Sequence, residues 1–393
     1  MELKGKPMTE TGTTTLDELP TPSLILDRAR LDRNAAYMSK RMADMGIRLR
    51  PHLKTAKSAD VARIATAGHF GGITVSTLAE ARYFARNGIL DMVYAVALVP
   101  QKMAEIDALQ NEFSARITVL TDNVEVARTI AGRAETLSTE LAVLMEIDCG
   151  GGRAGVTVDD PDMLEIARIL DGAANVSFEG VLTHAGQSYH CKSVDEIIVV
   201  ADVERDTVVA AADKLKSIGI ACNTISGGST PTAVQARHFD GMTEMRPGVY
   251  VFSDLMQAAL GWGDHSNIAV TVLATVIGHR RDLGQILIDA GGLALSKDRG
   301  MDHIDPTVGM GLIYDKLGQH PIDGLCVDDT HQEHGILRMN NGAEPPYSAL
   351  PVGSRVRVLP VHACMTAAAF DCYRVVADGG DVVIDEWSRT VGW

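Results

Sequence analysis

The sequence predicts an α/β protein, a (β/α)8 barrel followed by a smaller, mainly antiparallel β domain. Three observations carry that expectation. Eight short apolar runs alternate with longer segments of helical period between residues 47 and 252. Helical periodicity fades after about residue 262, where alternating runs and glycine turns take over. Polar residues gather at the C-terminal ends of the eight runs, where barrels of this kind keep their active sites.

Taken in order, the expected barrel strands are 47–54, 71–77, 92–98, 116–122, 141–148, 178–186, 223–229 and 244–252. Segments such as "TLAEARYFARNG" and "VDEIIVVADVERDTVVAAADKLKSIG" supply the helical crossovers. A doubly wound sheet is the competing arrangement. Later runs, "IAVTVLATVIGHR", "QILIDAGGLAL", "SRVRVLPVHAC" and "YRVVADGGDVVIDEW", read as strands, with Gly379–Gly380 as a tight hairpin turn. Residues 296–350 read as a loop-rich insert. The expected division is 25–262 for the barrel and 263–393 for the β domain, to which 1–24 adds an edge strand.

Bulk properties narrow the function. A formal charge of −15 on 393 residues argues against non-specific binding to nucleic acid or anionic membranes. No apolar run reaches membrane-spanning length, and "MELKGKPMTETGTTTLDELP" lacks the apolar core of a secretory signal. Six scattered cysteines without CxxC spacing read as reduced thiols in a cytoplasmic protein.

The strand ends carry the chemistry. Strand one runs through Arg48, Arg50, His52 and Lys54 on one side, placing Lys54 at the barrel mouth. An amine taken out of water there can form an imine with a carbonyl cofactor. Lys57, beyond the strand, reads as a solvated helix-start lysine. Strand five leads to Asp148 and Arg153, strand six to Thr183, His184 and Tyr189, and strand eight to Arg246 and Tyr250. In "SGGSTPT" (226–232), Gly227 and Gly228 let backbone amides approach an anion, and Ser229 adds a hydroxyl. Such loops follow strands seven and eight in phosphate-binding barrels. An imine lysine beside a phosphate loop points to pyridoxal phosphate.

In "VLPVHACMTAA", His362 and Cys364 stand two apart, so on a strand they share a face. Imidazole plus thiolate suits zinc foremost, with manganese or magnesium as alternatives, and two ligands leave positions open for chemistry. Each feature has a plainer reading: a surface lysine, an ordinary turn, a core cysteine beside a hydrogen-bonded histidine. "HQEHG" places His331, Glu333 and His334 in a loop near the site. "GGGRAG" (150–155) fits a dinucleotide fingerprint but is followed by a turn at Pro161, and Arg153 interrupts its glycines.

Together "RPHLKT", "EIDCGGGRAGV", "VLTHAGQSY", "SGGSTPT", "RPGVYVF" and "HACMTAA" resemble the D-serine dehydratase, D-threo-3-hydroxyaspartate dehydratase and D-threonine aldolase family, alanine-racemase-like enzymes of fold type III. The resemblance implies a homodimer acting on small D-amino acids, with Lys54 as Schiff-base lysine. It places Arg153 near the cofactor's phenolic oxygen, with Tyr189 also contacting the cofactor. Gly227, Gly228, Ser229 and Tyr250 would hold the phosphate, Arg246 would face the pyridine nitrogen, and His362 and Cys364 would bind a divalent metal. His-x-Cys and the ending "DEWSRTVGW" look more like the dehydratases, which release 2-oxo acid and ammonia, than the aldolases, which release glycine and aldehyde. In an aldolase, His184 is a base for the β-hydroxyl. A non-catalytic pyridoxal phosphate carrier would need only the barrel, so the residues after 262 favour an enzyme.

Overall fold

The computed structural model describes residues 14–393. Eight parallel strands run Arg48–Leu49, Ile73–Val75, Asp91–Ala97, Arg116–Thr121, Leu141–Glu146, Val176–Leu182, Thr224–Gly227 and Glu244–Met245. Each pairs with its sequence neighbour, apart from the first two, and the first also pairs with the eighth. The remaining gap is bridged where Thr74 donates to the Pro51 carbonyl and accepts from the Leu53 amide, both at 2.8 Å. The result is the expected barrel. Helices Leu78–Arg86 and Val194–Ser217 start where Thr77 and Ser193 accept from the amides of Glu80 and Glu196.

Strands one and eight are much shorter than their apolar runs. Pro51 and Pro247 follow two residues after each, and neither can donate to a ladder. Past the strand ends isolated bonds continue, the His52 amide donating to the Pro247 carbonyl at 2.9 Å. Inside the barrel Val93, Leu120, Leu144 and Leu182 form an apolar layer. Below it Arg50, almost fully buried, bonds Glu244 at 3.0 Å and Asp91 at 2.7 Å.

The second sheet is antiparallel apart from one pairing. Val270–Arg280 pairs with both Gln285–Ile288 and Arg355–Pro360. The ring continues through Gly335–Met339, Pro321–Thr330 and Gly311–Tyr314, closing a six-stranded barrel. Three of these strands lie within 296–350, so that region is not a loop-rich insert. Bulges at Leu312/Tyr314 and Val327/Asp329 break the alternation that would have marked them.

Ser23–Asp27 is an internal strand rather than an edge, antiparallel to Val270–Arg280 and parallel to Cys372–Val376. It crosses the expected boundary between residues 24 and 25; residues 1–13, part of that expected segment, lie outside the described residues. Val383–Ser388 pairs beyond Cys372–Val376. The turn between them has positive φ at Asp378 and Gly379, and the Gly380 amide donates to the Ala377 carbonyl at 2.7 Å.

Glu244→Ala should leave the Arg50 guanidinium buried with only the half-exposed Asp91. A loss of about 3 kcal/mol is expected, read as a lower urea midpoint with native secondary structure retained by circular dichroism.

Candidate functional site

The first strand ends in a turn in which the Lys57 amide donates to the Leu53 carbonyl at 2.7 Å. Lys54 projects from this turn and is exposed in the single chain rather than desolvated. It faces a cavity of two adjoining lobes, about 330 and 220 Å³, which share His52, Lys54, His184, Gly228 and Arg246. Glu146 and Arg153 line the larger lobe, and Tyr189, Ser229, His362 and Cys364 line the smaller. Lys57 is not a solvated lysine. It has positive φ, and its ammonium lies 3.2 Å from the buried Glu80 carboxylate.

His362 and Cys364 are not on a strand. The strand ends at Pro360, His362 sits in extended backbone, and Cys364 belongs to the helix Ala363–Ala367. Both nevertheless line the same lobe as Lys54. His362 Nδ1 lies 2.8 Å from Asp298 Oδ2, which leaves Nε2 to ligate. Burial opposes a charge on His362, yet Asp298 and the Cys364 thiolate push it up to about 11. Burial raises the Cys364 thiol and His362 more than offsets that, so it stands below the ordinary thiol value. Asp254, fully buried, accepts from the Ala363 and Gln257 amides at 2.9 and 2.8 Å, and burial raises it to about 6. Among the described residues no third His, Cys, Asp or Glu joins the pair as a metal-holding group.

Arg246 is buried between strands. It donates to the Thr183 carbonyl at 2.6 Å and to Ser226 Oγ. Burial lowers its pKa, while Glu244, Glu204 and Glu146 favour its charge. Burial and the nearby Lys54 bring His184 down to about 3, against the pull of the Gly228 carbonyl 3.1 Å from Nδ1. A neutral ring with Nδ1 engaged leaves Nε2 as an acceptor.

The glycine turn is more occupied than its sequence suggests. Glu204, from the long helix, accepts from the Gly228 and Ala185 amides, each at 2.9 Å. Ser229 Oγ is bonded to Ser188 at 2.8 Å. Gly227 faces Glu204 and Met242 behind the cavity. Gly228 has φ +117°, and a Cβ there would meet the Arg246 amide at 2.8 Å. Tyr250 is fully buried off the cavity wall, and its hydroxyl has no partner. An amine at the mouth, a glycine passage and an orphaned phenol behind it fit a pyridoxal phosphate.

The first three glycine amides of "GGGRAG" all point at Asp148 Oδ1, 2.8 to 3.2 Å away, so that turn wraps a carboxylate of its own chain. His331, Glu333 and His334 are exposed at the hairpin turn between Pro321–Thr330 and Gly335–Met339 and do not line the cavity. The His331 carbonyl instead accepts from Gly292 at 2.8 Å. Sequence reasoning missed Asp298, Asp254, Glu204 and Gln257. Only Asp254, close behind "RPGVYVF", had a motif to flag it.

A parallel barrel with this mouth, joined to an antiparallel β barrel, defines an alanine-racemase-like protein of the fold type III pyridoxal phosphate class. Residues 26–255 match the family described as "Alanine racemase, N-terminal domain", and 269–376 match "Putative serine dehydratase domain". The chain belongs to the D-serine and D-threo-3-hydroxyaspartate dehydratase family. It is 41% identical to the D-threo-3-hydroxyaspartate dehydratase of Delftia sp. (strain HT23), over 96% of this chain and 99% of that one. The solved structure of that enzyme superposes with a TM-score of 0.92, over 96% of this chain and 100% of that one. A cysteine-to-alanine mutant of it is known in a metal-free form, 40% identical with a TM-score of 0.92 over 97% of this chain and 100% of that one. Identity to the D-serine dehydratase of Dictyostelium discoideum is 32%, covering 94% of this chain and 96% of that one. D-threonine aldolase from Filomicrobium marinum is 27% identical with a TM-score of 0.82, over 96% of both chains.

His184 gives a pH signature. Its folded value lies far below the ordinary 6.5, so the unfolded chain takes up the proton first. Stability is full above about pH 6.5 and is lost as pH falls below it. In the cofactor-free protein, His184→Gln should lose less melting temperature than wild type between pH 7 and pH 5 (about two pH units within the window). Parallel losses would refute the assignment.

Proposed function

We propose that the chain is a pyridoxal 5′-phosphate- and divalent-metal-dependent dehydratase. It converts D-3-hydroxy amino acids such as D-serine, D-threonine or D-threo-3-hydroxyaspartate to a 2-oxo acid and ammonia. The observation that carries this reading is that His362 and Cys364 open onto the same lobe as Lys54.

When bound, the cofactor supplies an electron sink for charge developing at Cα, and the metal a Lewis acid toward the β-hydroxyl. Lys54 would hold the cofactor, and its Nζ, when free, would take the α-proton. Arg246, with Arg153, Tyr189 and Tyr250, positions the cofactor, and Gly227, Gly228 and Ser229 frame its phosphate end. A guanidinium does not give up its proton at ordinary pH, so Arg246 moderates the sink rather than protonating the ring. His362 and Cys364 hold the metal, zinc by their donor set, and Asp298 fixes the tautomer of His362. In the aldolase alternative His184, neutral near its Gly228 contact, would be the base that accepts the β-hydroxyl proton; the elimination does not call on it. A cysteine mutant of a D-threo-3-hydroxyaspartate dehydratase is known in a metal-free form, in keeping with a metal in that relative.

The −15 charge and six free cysteines support a cytoplasmic protein, and no described helix is long and apolar enough to cross a membrane. The mouth, with Lys54 and Arg153 exposed in one chain, fits a homodimer that covers it. The division at 262/263 is proposed, with the expected barrel start at residue 25 moved to after Asp27 because Ser23–Asp27 belongs to the β unit.

Supplied with D-serine and with D-threonine, the purified enzyme should yield 2-oxo acid and ammonia. Glycine with acetaldehyde as the main products from D-threonine would make it an aldolase. Lys54→Ala should abolish the absorbance of the cofactor–lysine imine together with turnover. Cys364→Ala should keep that absorbance while losing bound zinc and activity; zinc retained at wild-type stoichiometry would remove the cysteine from the ligand set.

A further inference from the structure

The ending "DEWSRTVGW" has no part in the chemistry above, yet its arginine enters the site's framework. Arg389 follows the strand Val383–Ser388 and is 6% exposed. Its Nε donates to the Ala56 carbonyl at 3.1 Å and to the Tyr373 hydroxyl at 2.8 Å. Its Nη1 donates to the Phe370 carbonyl at 2.6 Å and to the Ala367 carbonyl. Tyr373 in turn donates to the Ala56 carbonyl at 2.7 Å, and the Thr390 amide donates to the Lys57 carbonyl at 2.8 Å.

Ala56 lies two residues beyond Lys54, and Ala367 ends the helix that begins just after His362 and contains Cys364. One guanidinium therefore ties the lysine turn of the first barrel to the His–Cys helix of the second. On the cavity side the same two elements touch where Thr55 Oγ1 lies 3.1 Å from Cys364 Sγ. All of the guanidinium's hydrogen-bond partners are carbonyl and hydroxyl oxygens, and among the described residues it forms no ion pair. A buried cation held only by neutral oxygens is a costly way to gain stability alone. A planar fork reaching two elements at once is what a lysine ammonium cannot reproduce.

We propose that Arg389 is a positioning residue that sets the spacing between Lys54 and the His362–Cys364 pair. The proposal rests on the function proposed above. Loosening this clamp leaves the cofactor lysine in its turn but lets the metal helix drift from it. The α-proton base and the group acting on the β-hydroxyl then lose their register.

The test uses holoenzyme of wild type, Arg389→Lys and Arg389→Gln, assayed well below each melting temperature. Imine absorbance, zinc affinity by chelator competition, kcat and KM are measured. Both variants keep the absorbance and a KM near wild type, while kcat and zinc affinity fall by about tenfold or more, further in Gln than in Lys. A lower melting temperature with unchanged kcat and zinc affinity overturns the proposal. Should neither variant fold, Tyr373→Phe removes only the hydroxyl shared by Arg389 and Ala56. It gives a smaller loss of kcat and zinc affinity, and no loss in it counts against the clamp. Wild-type enzyme without imine absorbance or zinc would instead defeat the underlying functional reading.

Discussion

The site depends on one seam, where the turn carrying Lys54 meets the helix carrying Cys364. Thr55 touches the cysteine directly, at 3.1 Å. The two elements belong to different barrels, so their spacing cannot be fixed by either sheet's ladder. It is fixed by what fills the seam: a threonine in front, and Tyr373 and Arg389 behind. Lys54 and the His–Cys pair would act on substrate atoms only two bonds apart, Cα and the β-oxygen, so an error of about an ångström would be felt in rate.

Charge is distributed unevenly around that seam. On the barrel side, Arg246 sits among Glu244, Glu204 and Glu146, which keep a cation deep in the structure. Glu204 also holds the loops after strands six and seven together through two backbone amides. Its carboxylate thus fixes His184 relative to the glycine turn, at the cost of occupying the Gly228 amide. Burial raises Glu204, with Thr232, Gly228 and Ala185 pulling it back.

The eight parallel strands were legible because buried strands read as continuous apolar runs, and the helices between them kept a clean period. Their lengths were not, since Pro51 and Pro247 end ladders that the hydrophobic pattern would extend. The strands within 296–350 were hidden by bulges and by acids such as Asp328 and Asp329. Lys54, His184 and Arg246 were legible from position alone, at strand ends facing one mouth. The His362–Cys364 pair was found through a strand argument that the helix at Ala363 overturns; what brings the two together is the first turn of that helix. Asp298 and Arg389 gave no local signal, because each matters through a backbone or imidazole far away in sequence.

His362 and Cys364 also show why a two-ligand site can be well defined. Asp298 fixes the imidazole from outside, and Asp254 holds the amide of the residue between the two ligands. Neither acid ligates, yet together they orient both donors and place negative charge beside them. In the protein alone that charge favours a proton on His362, and His362 in turn lowers the Cys364 thiol. A divalent metal held by His362 and Cys364, as proposed, would have to displace protons from the pair and would keep coordination positions open. Such positions would face the lobe that also holds Lys54, where the β-hydroxyl of a substrate would meet them.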